Sequence, residues 1–147
     1  IEIYYDDTTL IAQSANFEFF TKLINGRFPD YNRVIPQEIK KRLRLSRDKM
    51  VEGIKTVSII SESTKIVFAP QTISFESIVE DNSEAKTTIE FATGLEEEIY
   101  VGVKNRYLLD FLQSIEEEHF EFGFNDSNLA FTVSSNELKT VIMPINL

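Results

Sequence analysis

"NRYLLDFLQSIEEEHFEFGF", residues 105–124, joins two kinds of pattern within twenty positions. In its first half Tyr107, Leu108, Phe111, Leu112 and Ile115 recur at three- and four-residue spacing, the apolar stripe of a helix laid on a core. Asn105 is a fair cap for its start. Beyond the glutamates, "HFEFGFN" reads as a strand rich in aromatic residues. A helix running straight into strands predicts an α+β fold, with a helical layer on an antiparallel sheet.

Outward from this stretch the alternation of elements continues. Downstream, "NLAFTVSS" (128–135) and "LKTVIMPI" (138–145) read as strands, with turns at Asn125-Asp126-Ser127 and Ser135-Asn136-Glu137. Upstream lie "TKIVFAP" (64–70), "TISFESIVED" (72–81), "AKTTIEFATG" (85–94) and "EEEIYVGVK" (96–104). Ile73, Phe75, Ser77 and Val79 alternate there against Thr72, Ser74, Glu76 and Ile78. Before them a first helix follows either Ser46 or Asp48 as cap, with Met50, Val51, Ile54, Val57 and Ile60 inward and Lys49, Glu52, Lys55 and Thr56 outward. Gly53 inside it costs roughly 1 kcal/mol relative to alanine.

The first third is separate in character. "IEIYY" (1–5), "TLIAQS" (9–14) and "NFEFFTKL" (16–23) read as short strands. "INGRFPDYNRVIP" (24–36) then carries the Asn25-Gly26 turn signal, Pro29, which forces Phe28 into extended backbone, and Pro36 as a second stop. Two domains are expected to meet in this connector.

The 147 residues suit one domain, or one domain and a piece of another. With 42% hydrophobic and 27% charged residues the chain reads as globular. Cysteine is absent, which excludes disulfides and thiolate chemistry and fits a reducing compartment. No apolar run approaches the roughly 20 residues of a membrane span. A start at Ile1, inside a strand pattern, is expected to be a cut through a larger protein.

The net charge of −9 argues against a nucleic-acid partner until its distribution is seen. "KKRLRLSRDKMVEGIK" (40–55) holds seven basic and two acidic residues, a local +5 that leaves −14 for the rest. One basic face on an acidic body is compatible with DNA. Chemistry finds less support. His119 reads as a solvated polar group, and Glu96-Glu97-Glu98 and Glu116-Glu117-Glu118 as solvated faces. Sugar hydrolysis would need two carboxylates facing one cleft. There is no nucleophile elbow and no phosphate-binding loop.

"INGRFPDYNRVIP", "NRYLLDFLQSI" and the ending "VIMPINL" together resemble the bacterial sliding clamp family, the beta subunit of DNA polymerase III. The resemblance covers the whole chain. It implies a DNA-clamp fold, with residues 1–33 as the last strands of a middle domain and 34–147 as the third domain. It further implies a non-catalytic, cytoplasmic processivity factor without metal, cofactor or membrane association. Two such subunits would close head to tail around duplex DNA. The partners implied are the polymerase III alpha subunit, the clamp loader and other proteins with a clamp-binding motif. The competing reading is a generic acidic α+β interaction module with no role on DNA.

Residue by residue, the family's peptide pocket falls on Pro29, Arg33 and Val34 and on Val141, Met143, Pro144, Ile145, Asn146 and Leu147, with Asn128 nearby. Methionine suits such a surface because its unbranched thioether adapts to varied peptides. Ile145 and Asn146 depart from the methionine and arginine common in relatives, which puts the groove's peptide preference in question. The family also builds part of the pocket from residues upstream of Ile1. Lys49, Lys55, Lys104 and Arg106 would face DNA phosphates, giving contact without base readout. Ile59 and Ile60, with Glu84, Lys86 and Glu90 on an edge strand, would supply the subunit interface. Taken alone, the chain is expected to stay monomeric and to bind DNA weakly.

Overall fold

A computed structural model of the chain describes residues 1–27, 30–78 and 85–147. The chain forms two compact units, Ile1–Tyr31 and Asn32–Leu147. The first is a three-stranded antiparallel sheet in chain order: β1 (Glu2–Tyr5), β2 (Thr9–Ser14) and β3 (Phe17–Lys22). Asp6 makes the first turn, its carboxylate accepting the backbone N–H groups of Thr8 and Thr9 at 2.7 Å each. Those bonds favour the ionised form and hold its pKa below the ordinary carboxylate range. Ile3, Tyr5, Phe17, Phe19 and Phe20 are all exposed. Since Phe19 and Phe20 point to opposite faces, both faces of this sheet present apolar rings.

The second unit holds two antiparallel sheets of four strands each. One has the order β11-β10-β9-β4, built from β4 (Lys41–Ser46), β9 (His119–Phe124), β10 (Phe131–Ser135) and β11 (Leu138–Ile142). The other has the order β7-β6-β5-β8, built from β5 (Ser63–Phe68), β6 (Thr72–Ser77), β7 (Lys86–Glu90) and β8 (Ile99–Lys104). Helix α1 (Arg47–Ser58) follows β4 and helix α2 (Asn105–Ser114) follows β8. The fold is α+β, with both helices packed on the antiparallel sheets and against each other.

A single apolar cluster joins these layers. Phe122 of β9 stands 5.1 Å from Phe68 of β5, ring centre to ring centre, and so connects the two sheets. It also stacks on Phe131 at 4.8 Å and meets Phe124 at 5.9 Å. Helix α1 buries Met50, Ile54 and Val57, and α2 buries Leu108, Phe111 and Leu112. Gly53 has a packing reason: a Cβ there would lie 2.2 Å from the Phe75 ring, so only glycine lets the ring slide under the helix.

A strand, β4, precedes α1; Leu43 and Leu45 point inward while Arg42 and Arg44 point outward. Several expectations need correction. Ser46 holds the cap position of α1 but makes no side-chain hydrogen bond there. Ile60 lies past the end of α1 and is exposed. Tyr107, assigned to the buried stripe of α2, is 53% exposed. Asn105 is not a cap but the first residue of α2, and it is buried. It accepts the Thr64 hydroxyl at 2.6 Å and donates to the Ser61 carbonyl at 2.8 Å, fastening the helix start to β5. Strand β10 begins at Phe131, because Asp126 draws the Asn128 and Leu129 amides into a turn. Strand β11 ends at Ile142, before Pro144, which has no N–H to offer a ladder. Val79 lies outside the described residues.

Candidate functional site

Three residues beyond β11 the chain is fastened again. The Ile145 N–H donates to the Gly102 carbonyl at 2.9 Å. The tail thus leaves an edge strand of one sheet, β11, and bonds to an edge strand of the other, β8. Ile145 is half-buried by this contact, whereas Asn146 and Leu147 stay exposed. Met143 is held between β11 and that bond, yet 64% of it faces solvent.

Beside the tail runs a groove of about 610 Å³ between α2 and β11. Tyr107, Phe111, Leu138, Val141, Ile142 and Met143 give it apolar walls, and Asp110, Ser114 and Thr140 supply polar points. Helix α2 supplies Tyr107, Phe111 and Ser114 because those positions share one flank of the helix. A concave, mostly apolar surface with a few polar groups suits the apolar side chains of a peptide. Of the residues expected in a peptide pocket, Val141 and Met143 line the groove and Pro144 to Leu147 continue the same tail. Arg33 ends a single 3₁₀ turn, Tyr31–Arg33, and Val34 follows it, exposed; neither lines the groove. Asn128 sits in the turn before β10, its N–H on the Asp126 carboxylate, also apart from the groove. Pro29 lies outside the described residues.

The four basic residues expected to face DNA are all exposed. Lys104 and Arg106 come together at the start of α2, in a second depression with Ser58, Glu62 and Asp110. Arg106 stands 3.5 Å from Asp110, one helical turn on. Lys55 is on the outer face of α1. Lys49 turns toward β7, donating to the Glu90 carbonyl at 3.0 Å and lying 5.8 Å from the centre of the Phe91 ring. Of the expected interface residues, Ile59 is 83% exposed directly after α1, with Ile60 beside it. Lys86 and Glu90 lie on β7, an edge strand, and Lys86 pairs with Glu76 at 2.6 Å. Glu84 lies outside the described residues.

The acidic triplets serve local structure where their partners are visible. Glu117 accepts the Ser135 hydroxyl at 2.9 Å and the Asn136 side-chain amide, clamping the turn between β10 and β11. Its own backbone N–H and then the Ser135 hydroxyl hold its pKa below the ordinary range. Asn136 takes a left-handed φ of 48°, which asparagine tolerates better than most residues. Among the described residues no three His, Cys, Asp or Glu side chains gather as metal ligands. Sequence reasoning missed the exposure of Tyr107 at the groove and the contact of Gly102 with the tail. The second had a signal, since a glycine inside a strand pattern marks close backbone approach.

Comparison with known proteins gives this arrangement a family. Residues 32–146 match the sequence profile described as "DNA polymerase III beta subunit, C-terminal domain". The chain is 29% identical over 155 residues to the beta sliding clamp of Helicobacter pylori, covering 97% of this chain and 41% of that protein. It is 28% identical over 151 residues to the beta sliding clamp of Chlamydia muridarum, covering 99% and 41%. The solved Helicobacter pylori beta clamp bound to a DNA ligase peptide superposes with a TM-score of 0.86 at 27% identity, over 99% of this chain and 40% of that one. The DNA polymerase III subunit beta of Pseudomonas aeruginosa gives 0.84 at 25% identity, over 99% and 42%. The chain therefore spans about two fifths of the length of these relatives. It belongs to the DNA polymerase III beta subunit family, the bacterial beta sliding clamps, and its residues 32–146 correspond to the C-terminal domain of that family.

Proposed function

We propose that the chain is the C-terminal part of a processivity clamp, a non-catalytic subunit that encircles duplex DNA and recruits the replicative polymerase and repair proteins through the terminal groove. The observation that carries the reading is the groove itself: within a domain of this family, Met143 is held at both sides and still left open to solvent. Buried apolar residues need no further explanation, but an exposed apolar wall around a cavity of this size asks for an occupant. The Helicobacter pylori relative is described as bound to a DNA ligase peptide, and a peptide of that kind is the occupant assigned here.

In this reading residues 1–33 are the last strands of a middle domain and 34–147 form the third domain. The exposed rings on both faces of the first sheet then meet the rest of that middle domain. Arg33, Val34 and Asn128, which the groove described above does not include, are assigned a part in peptide binding by family likeness alone. Lys49, Lys55, Lys104 and Arg106 face DNA phosphates, and the hold is sequence-blind, as sliding requires. Ile59, Ile60, Lys86 and Glu90 form one half of a head-to-tail dimer contact that closes the ring. The polymerase alpha subunit, the clamp loader and other motif-bearing proteins share the groove, in the cytoplasm.

The test is a fluorescence-polarisation titration with the Helicobacter pylori DNA ligase peptide, against a scrambled peptide and a chain lacking 143–147. Saturable binding that the truncation abolishes is the expected result. Absence of binding both to this chain and to the chain joined to a complete middle domain overturns the reading.

A further inference from the structure

Gly102 occupies the middle of β8, opposite Lys65 of β5. Its neighbours Val101 and Val103 point into the core, so Gly102 faces the other side of the sheet. Glycine weakens a strand interior, where it has no side chain to pack and loses more freedom than any other residue. Its surroundings supply the reason for it. A Cβ at this position would stand 2.8 Å from the Ile145 carbonyl oxygen, 2.9 Å from Ile145 Cγ1 and 3.1 Å from Leu147 Cδ2. At the same place its own carbonyl accepts the Ile145 N–H at 2.9 Å. The tail lies directly on the bare backbone of β8.

We propose that Gly102 is the positioning residue of the terminal groove: its missing side chain seats Ile145 and Leu147 against β8 and thereby fixes where Met143 stands. This rests on the reading of the groove as a peptide site. The coupling is short. Only Pro144 separates Ile145 from Met143, and its ring locks φ near −65°, so the link has little freedom to absorb a shift. Met143 is thus held from two sides, by β11 through Ile142 and by β8 through Ile145. A methyl group at position 102 meets a backbone oxygen, which cannot rotate away as a flexible side chain would. The tail must lift, and Met143 with it. Gly102 touches no bound peptide in this arrangement; it acts through the tail.

The experiment is a cycle of four chains: the unaltered sequence, Gly102→Ala, a chain lacking 145–147, and the shortened chain with Gly102→Ala. Melting midpoints are read for all four. Amide exchange at Ile145 and affinity for the Helicobacter pylori DNA ligase peptide are read for the intact pair. Gly102→Ala lowers the midpoint of the intact chain, strips protection from the Ile145 amide and weakens the peptide about tenfold or more. In the shortened chain the same substitution leaves the midpoint unchanged or raises it, because alanine is restricted more in the unfolded state than glycine. Equal losses in both backgrounds overturn the proposal, as does an unchanged Ile145 amide. Should intact Gly102→Ala fail to fold, folding of the shortened variant supports the tail as the cause, and its failure refutes it. If the unaltered sequence binds no peptide, the groove reading has failed, and the midpoints and amide exchange still decide whether Gly102 seats the tail.

Discussion

Phe122 and Met143 are both large apolar residues of the same four-stranded sheet or its continuation, and the chain treats them in opposite ways. Phe122 is completely buried, with rings from β5, β9 and β10 around it. Met143 is 64% exposed although it sits one residue beyond β11 and three beyond Thr140. Phe122 lies on an inner strand with a second sheet against it, whereas Met143 follows an edge strand and has a groove on one flank. Hydrophobicity alone therefore does not assign a role. An apolar side chain with neighbours on every side contributes stability; one with neighbours on half of its surface is available for recognition.

If this contrast holds, substitutions in the core change stability and those in the tail change binding. The largest effect belongs to Phe122→Ala, which leaves a cavity between both sheets and costs about 3–5 kcal/mol. Urea unfolding measures it, and a loss below about 1 kcal/mol would mean that the sheets close over the gap. Next comes Gly53→Ala. Alanine gains about 1 kcal/mol in helix propensity, but the collision with the Phe75 ring is an overpacking cost of about 1–3 kcal/mol. Net destabilisation by urea unfolding is expected, and a stabilised variant would show that the ring moves aside freely.

A smaller effect concerns Glu76, which lies between Lys86 and Lys65 on the sheet surface. The Lys86 ammonium first, with Lys65 behind it, holds the Glu76 carboxyl below its ordinary range, against a raising contribution from burial. A depressed carboxylate pKa means stability that is present above the unfolded-state value and lost as pH falls through the folded one. Because these groups are partly exposed, the amount is small, about 0.2–1 kcal/mol. Glu76→Gln should remove it at neutral pH and flatten the acid side of the stability curve. An unchanged acid limb would assign that limb to other carboxylates.

The division between core and surface also marks what the sequence discloses. Both helices, the antiparallel strands around them and the α+β class follow from the spacing of Met50, Ile54, Val57, Leu108, Phe111 and Leu112, whose periods are set by local geometry. The errors gather where tertiary neighbours decide. Tyr107 obeys the helical spacing of a core residue, yet α2 overhangs the groove at that point, so its ring is left at the rim. Asn105 carries the chemistry of a cap but finds Thr64 and Ser61 instead, partners more than forty residues away in the chain. For the candidate site, family likeness singles out Val141 and Met143, and both line the groove. The contact of Ile145 with Gly102 joins the edges of two sheets; a glycine inside a strand pattern signals a close approach, but spacing along one chain does not say which segment approaches.

The smallest change in stability should come from Met143→Ala, and it tests the contrast most directly. Removing a side chain that is 64% exposed forfeits little buried area, so the unfolding free energy should stay within about 0.5 kcal/mol of the unaltered chain. Peptide affinity should nevertheless fall about tenfold, because a bound peptide covers the thioether that solvent now reaches. The two readouts move independently only if Met143 belongs to the binding surface. A variant that loses more than about 2 kcal/mol of stability would place Met143 with Phe122, as a member of the core whose exposure is incidental. Unchanged affinity with unchanged stability would move the binding surface elsewhere on the groove, toward Tyr107 and Leu138. Only a silent unfolding curve beside a shifted titration leaves the two apolar residues with different tasks.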